Sequence, residues 1–208
     1  MRQPARDTFD IYSALWARAE GEGSTVSYYA VGEPGGYFHP NERGAGHAYP
    51  MISIYRPWPE HTTAPCRGYS QYAPPDLAPP DLRHELLVLA HEFGHLMSWK
   101  GRTPRATWER YNAVAIKREK LNSEALEAAQ AVPEDAQAQY VIDALWRALT
   151  DEERALILTE EALAWDVARE ALAALDFAEW PEFDRERDKS LHIHRYRLGL
   201  DPLLDTDV

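Results

Sequence analysis

Apolar residues Phe9, Ile11, Tyr12, Leu15 and Trp16 recur at helical spacing and predict a helix over residues 6–19 that stops by Gly21 and Gly23. The pattern then changes. Thr25 to Val31 is rich in β-formers, and Glu33-Pro34-Gly35-Gly36 signals a turn into Tyr37-Phe38. Residues 39–50 read as a loop. Met51 to Tyr55 alternates as a strand does, with Ile52 and Ile54 on one face and Met51, Ser53 and Tyr55 on the other; Pro57 and Pro59 end it.

The unit Ala-Pro-Pro-Asp-Leu occurs twice, at 73–77 and 78–82, and reads as a stiff connector that leads into a helix with Asp81 as its N-cap. Beyond it the spacing is helical almost throughout. Leu82 to Trp99 forms a strongly apolar helix closed by Gly101 and Pro104, and a second helix runs from Pro104 to Lys120. A third spans Pro133 to Leu149. Thr150 and Glu153 make a capping box that opens a helix reaching Asp176, and the chain is helical again after Pro181. Strands first and helices afterwards imply an α+β fold: a small N-terminal β-sheet packed on the helix over 82–99, then a mainly helical C-terminal half. We read residues 1–208 as one domain, with an α/β part over 1–101 and a helical part over 102–208.

Composition narrows the class. Apolar residues make up 45% and charged residues 27%, as in an ordinary folded chain, and no run approaches the ~20 apolar residues that span a bilayer. The first twenty residues lack the apolar block of a secretory signal, and the lone Cys66 excludes an intrachain disulfide framework. The expectation is a cytoplasmic protein that does not engage membranes. The net charge of −12 is unevenly spread. Residues 151–190 hold thirteen acids against five bases, whereas 100–120 hold seven bases against two acids. That basic segment is either a patch for an anionic partner or a solvated face that pairs with the acidic half. The second reading is favoured, and an acidic chain is a poor candidate for nucleic-acid binding.

Within the helix over 82–99, His91-Glu92-Phe93-Gly94-His95 places two imidazoles four residues apart. Four residues slightly exceed one turn, so both rings leave the same face and can reach one metal ion. Glu92 lies about 100° around the helix from His91, where it can touch a water on the metal without ligating it. Two neutral nitrogens, zinc and a nearby carboxylate are the parts needed to activate water for hydrolysis. Apolar neighbours Leu86, Leu89, Phe93 and Leu96 predict burial, where such polar groups are unfavourable unless they are satisfied. Gly94 is disfavoured by about 1 kcal/mol relative to Ala in a helix interior, which points to close packing of another element, such as a strand.

A catalytic zinc site takes a third protein ligand and leaves one position for water. The place six residues after His95 is Gly101, so a third histidine is not there. The run from Leu158 to Ala168 offers two glutamates. Glu161 shares a face with Leu158, Trp165, Ala168 and Leu172; Glu160 shares one with Ile157, Leu163, Ala164 and Val167. Glu161 is the favoured ligand and Glu160 the alternative. Glu109, Glu119, Glu124 and Glu127 have polar neighbourhoods and read as exposed.

His91 to His95, followed downstream by a Glu-Ala helix with an aromatic residue four places later, resembles the gluzincins, and among them the small ImmA/IrrE-type metallopeptidases. The resemblance covers two helices. It implies His91, His95 and Glu161 as zinc ligands, Glu92 as general base, and Trp165 in the aromatic position. The separation of 66 residues from His95 to Glu161 exceeds the spacing of a compact member, and Asp166 stands where a small residue is usual. The implied activity is hydrolysis of peptide bonds in a peptide or protein substrate. The resemblance also implies that the Met51–Tyr55 strand borders the cleft with an edge free to pair with substrate; the alternative is an interior strand. Near the C-terminus His192, His194 and Tyr196 are candidates for the cleft or for an oxyanion donor. His84 lies two turns before His91, too far to share its ion, and His39, His47, His61 and Cys66 have no readable spacing. The rival reading is a non-catalytic regulatory or binding protein that keeps the zinc site, or a chain whose zinc is structural. Oligomeric state has no signal in the sequence.

Overall fold

The structure, a computed structural model, describes residues 7–29, 35–40, 50–55 and 79–201. Helix α1 (Thr8–Gly21) is capped by the Asp7 carboxylate, which accepts the Asp10 backbone N–H at 2.8 Å. It buries Ile11, Tyr12, Leu15, Trp16 and Ala19, while Phe9 stays exposed, one residue off the apolar stripe. Three strands follow: β1 (Thr25–Tyr29), β2 (Gly35–His39) and β3 (Met51–Tyr55), in spatial order β1-β3-β2. β3 runs parallel to β1 and antiparallel to β2.

This order corrects one expectation. β3 is the central strand, hydrogen-bonded on both sides, so it has no free edge to offer a peptide. Its position also explains why Met51, Ile52, Ser53 and Ile54 are all buried although they alternate between faces. His39 ends β2 and is not in a loop.

Helix α2 (Pro79–Met97) begins two residues before Asp81, which therefore lies inside it and is not its cap. A wide turn at Ser98–Arg102 ends it, with Gly101 at φ 123°, a conformation that favours glycine. Helices α3 (Arg105–Ala129), α4 (Glu134–Ala148), α5 (Asp151–Ala173) and α6 (Trp180–Arg197) complete the chain. The α+β class is thus as expected: a small three-stranded sheet on the N-terminal side and helices after it. The expected opening of α5 is present. Thr150 Oγ1 accepts the Glu153 N–H at 3.2 Å, and the Glu153 carboxylate accepts the Thr150 N–H at 2.8 Å. α3 runs nine residues past Lys120, because Ala125 and Ala129 bury against Val141 and Leu145 of α4.

Packing gathers the chain into two compact units. One comprises Met1–Arg102 and Ala164–Trp180; here α2 packs on α1, β2 and β3, and the buried residues include Val26, Ile52 and Ile54 of the sheet and Leu89, Phe93 and Leu96 of α2. The other comprises Thr103–Leu163 and Pro181–Val208, with one core of Val114, Leu149, Ile157 and Leu198 and another where α3 meets α4. The tandem proline unit up to residue 78, His47, His61 and Cys66 lie outside the described residues. Among the described residues, no helix is long and apolar enough to cross a membrane.

Candidate metal centre

The site begins with the phase of α2. Leu86, Leu89, Ala90, Phe93 and Leu96 are fully buried, so the helix turns its apolar residues inward over most of its girth. His91 and His95 are drawn in with them, at 8% and 7% exposure, their ring centroids 4.7 Å apart and nearly perpendicular. Spacing alone required the shared face. Burial comes from what packs around it.

Gly94 sets how near α5 can come. A Cβ there would lie 2.1 Å from the Ala164 carbonyl oxygen and 2.7 Å from its Cα, so only glycine allows the approach. The close neighbour that Gly94 implied is therefore a helix backbone and not a strand. One residue on, the Trp165 ring packs on His91 with centroids 4.7 Å apart and planes 33° from parallel. Glu161 stands one turn before Trp165 on the same helix. The donor atoms of His91, His95 and Glu161 all lie within 4.8 Å of one another, and Glu161 is 4% exposed. These three residues form a buried group able to hold a metal ion.

Glu160 is equally buried but is engaged elsewhere: Thr103 Oγ1 lies 3.1 and 3.3 Å from its two oxygens and donates to the carboxylate. Glu109, Glu119, Glu124 and Glu127 are exposed. Glu161 has its own neighbours. The Tyr111 hydroxyl lies 3.5 Å from Oε1, and His194 Nε2 lies 3.4 Å from Oε2.

Glu92 is buried next to the histidines. A Cβ at Gly36 would meet Glu92 Cγ at 2.7 Å, Glu92 Oε1 at 3.0 Å and Val88 Cγ1 at 2.6 Å. The β2 backbone therefore lies directly over the Glu92 side chain, and glycine is what leaves room for it. Sequence reasoning took Gly36 only as part of a turn.

The three C-terminal candidates do not converge. On a helix, residues two apart point about 200° from each other, so His194 faces away from both His192 and Tyr196. Of the three, His194 is the one whose ring lies against Glu161, with Nε2 3.4 Å from Oε2. His192 Nδ1 is 3.7 Å from Asp201 Oδ2, and Arg195 pairs with the same carboxylate. That hydrogen bond from Arg195 holds the Asp201 carboxyl below its ordinary range and raises the Arg195 guanidinium. No side-chain partner of Tyr196 is seen among the described residues, and His84 is half-buried on α2. Tyr111 and Thr103 are site neighbours that sequence reasoning missed; the aromatic pair Trp108 and Tyr111, three apart on α3, was a local signal for Tyr111, and Thr103 had none.

Two imidazoles and a carboxylate are a donor set that suits zinc, and their burial would leave a charged carboxylate poorly compensated without a cation or donors. The residues thus fit a metal of this kind. Comparison of the chain with protein-family models, with curated proteins and with solved structures gave no match.

Proposed function

We propose that this chain is a zinc-dependent hydrolase that cleaves peptide bonds, with His91, His95 and Glu161 as ligands and Glu92 as general base. The observation that carries the reading is the buried convergence of His91, His95 and Glu161 with Glu92 adjacent in the same helix. The resemblance of these two helices to the gluzincins points the same way. Three protein donors, among the described residues, suit a site with a position left for substrate or water rather than a closed structural one.

When bound, zinc would acidify water and polarise the scissile carbonyl. The chain's own residues would do the rest. Glu92 would accept a proton as the water oxygen bonds to the carbonyl carbon, then deliver it to the amide nitrogen as the C–N bond breaks. Gly36, by leaving the β2 backbone against Glu92, would keep that carboxylate in one orientation. β1 and β2 are the outer strands of the sheet among the described residues, and β2, whose backbone lies over Glu92, is the one whose outer edge could align an extended substrate.

The test is zinc content and peptide-library hydrolysis for wild type and Glu92→Gln. Wild type should hold close to one zinc per chain and cut. Glu92→Gln should keep the zinc and lose about 100-fold or more in rate, since an amide cannot accept the proton. Stoichiometric zinc with no hydrolysis of any peptide would favour the rival reading, a regulatory or binding protein that retains the site.

A further inference from the structure

The Glu161 carboxylate is approached from two helices other than those of the three grouped residues. Tyr111 of α3 approaches Oε1 at 3.5 Å, and His194 of α6 approaches Oε2 at 3.4 Å. All three residues belong to the same compact unit. Tyr111 is buried with its ring 5.2 Å from Trp108, so its hydroxyl has little freedom to wander. The neighbouring Glu160 is bonded to Thr103, which fixes the adjacent stripe of α5.

A carboxylate that ligates through one oxygen still has lone pairs to satisfy, and in a buried site protein donors must meet most of that need. A glutamate also has three rotatable bonds, and freezing them subtracts from metal affinity unless other groups have already fixed them. Two donors, one on each oxygen, would meet both needs. We propose that Tyr111 and His194 are positioning residues that hold the Glu161 carboxylate in its metal-binding rotamer, and so set the metal affinity of the site. The proposal rests on the reading of Glu161 as third ligand. It requires the His194 tautomer with hydrogen on Nε2, donating to Oε2 while Tyr111 donates to Oε1.

The experiment is competition for zinc against a chromophoric chelator, using the full chain as wild type, Tyr111→Phe, His194→Ala, His194→Gln and Glu161→Ala. Tyr111→Phe keeps the ring and removes one donor; His194→Gln keeps an amide N–H near the Nε2 position. Tyr111→Phe and His194→Ala should each weaken zinc binding about 10-fold or more, within the range for outer partners of metal ligands. His194→Gln should recover most of the loss. Zinc affinity that depends on Glu161 but is unchanged in Tyr111→Phe and His194→Ala would overturn the positioning role and leave the ligand assignment standing. Affinity unchanged in Glu161→Ala would remove the ligand assignment and this proposal with it. X-ray absorption that shows one imidazole lost from the metal in both His194 variants would make His194 a ligand, and would overturn the proposal too.

Discussion

Glu160 and Glu161 are adjacent, identical in chemistry and both buried, yet their partners differ. Glu160 accepts from the Thr103 hydroxyl, and Glu161 lies with the two histidines. Their substitutions should therefore separate. Glu161→Ala should weaken zinc binding while Glu160→Ala keeps it. Glu160→Ala strands a buried hydroxyl instead, which should lower stability by about 1–3 kcal/mol. Zinc titration and urea unfolding of the two variants check this; the reverse pattern would move the third ligand by one residue. Helical periodicity could show that both glutamates had apolar company, and it could favour Glu161. It could not show what stands opposite each, because Thr103 and the histidines come from residues distant in sequence. Glu92 and the two histidines were legible for the opposite reason: their relation is a local spacing within one helix.

The approach of α5 to α2 depends on the missing side chain of Gly94. Gly94→Ala adds a methyl group where the Ala164 carbonyl already stands, and backbone cannot yield as a flexible side chain would. The expected loss is at or above the upper part of the usual ~1–3 kcal/mol for overpacking, despite the better helix propensity of alanine. Zinc affinity should fall with it, since Glu161 is on the displaced helix; a melting curve and a zinc titration at wild-type level would contradict this. At the other end of α5, the Glu153 carboxyl is held below its ordinary range, chiefly by its hydrogen bond with Lys117 and then by the Thr150 N–H. A depressed folded-state pKa stabilises above the unfolded value, and that contribution is lost as pH falls through the folded value. Glu153→Gln should thus melt below wild type at neutral pH, and the gap should close in acid; a gap constant with pH would remove the carboxylate from the account. The cap itself was readable from Thr150 and Glu153, as was each α-helix of the described residues. What escaped was pairing between elements: alternation gives the faces of β3 but not whether its edges are covered, and the stretch of α3 past Lys120 has no strong apolar pattern of its own until α4 is there to bury Ala125 and Ala129.

Over the whole molecule, charge is the property most open to misreading. The basic segment 100–120 looks like a patch in a chain of net charge −12, but most of its bases have carboxylate partners. Arg102 meets Glu170 at 2.5 Å, Arg110 meets Glu152 at 3.0 Å and Lys117 meets Glu153 at 2.8 Å, all acids of the 151–190 segment. Lys100 reaches Glu22, while Arg105 and Lys120 pair within α3 with Glu109 and Glu124. Several of these pairs are well exposed, so each stabilises the fold by about 1 kcal/mol at most and often by nothing measurable. Their larger effect is on the field. A base with a carboxylate about 3 Å away presents little net potential a Debye length of ~8 Å into solvent, and the surrounding acids repel phosphate. We therefore expect no saturable binding of duplex DNA or single-stranded RNA at about 150 mM salt, measured by fluorescence anisotropy with the full chain. Weak binding at very low salt should disappear steeply as salt rises, because only counterion release drives it. Saturable micromolar binding that survives at 150 mM would mean that the segment serves a nucleic-acid partner, and would shift the reading of the molecule from hydrolase toward regulator.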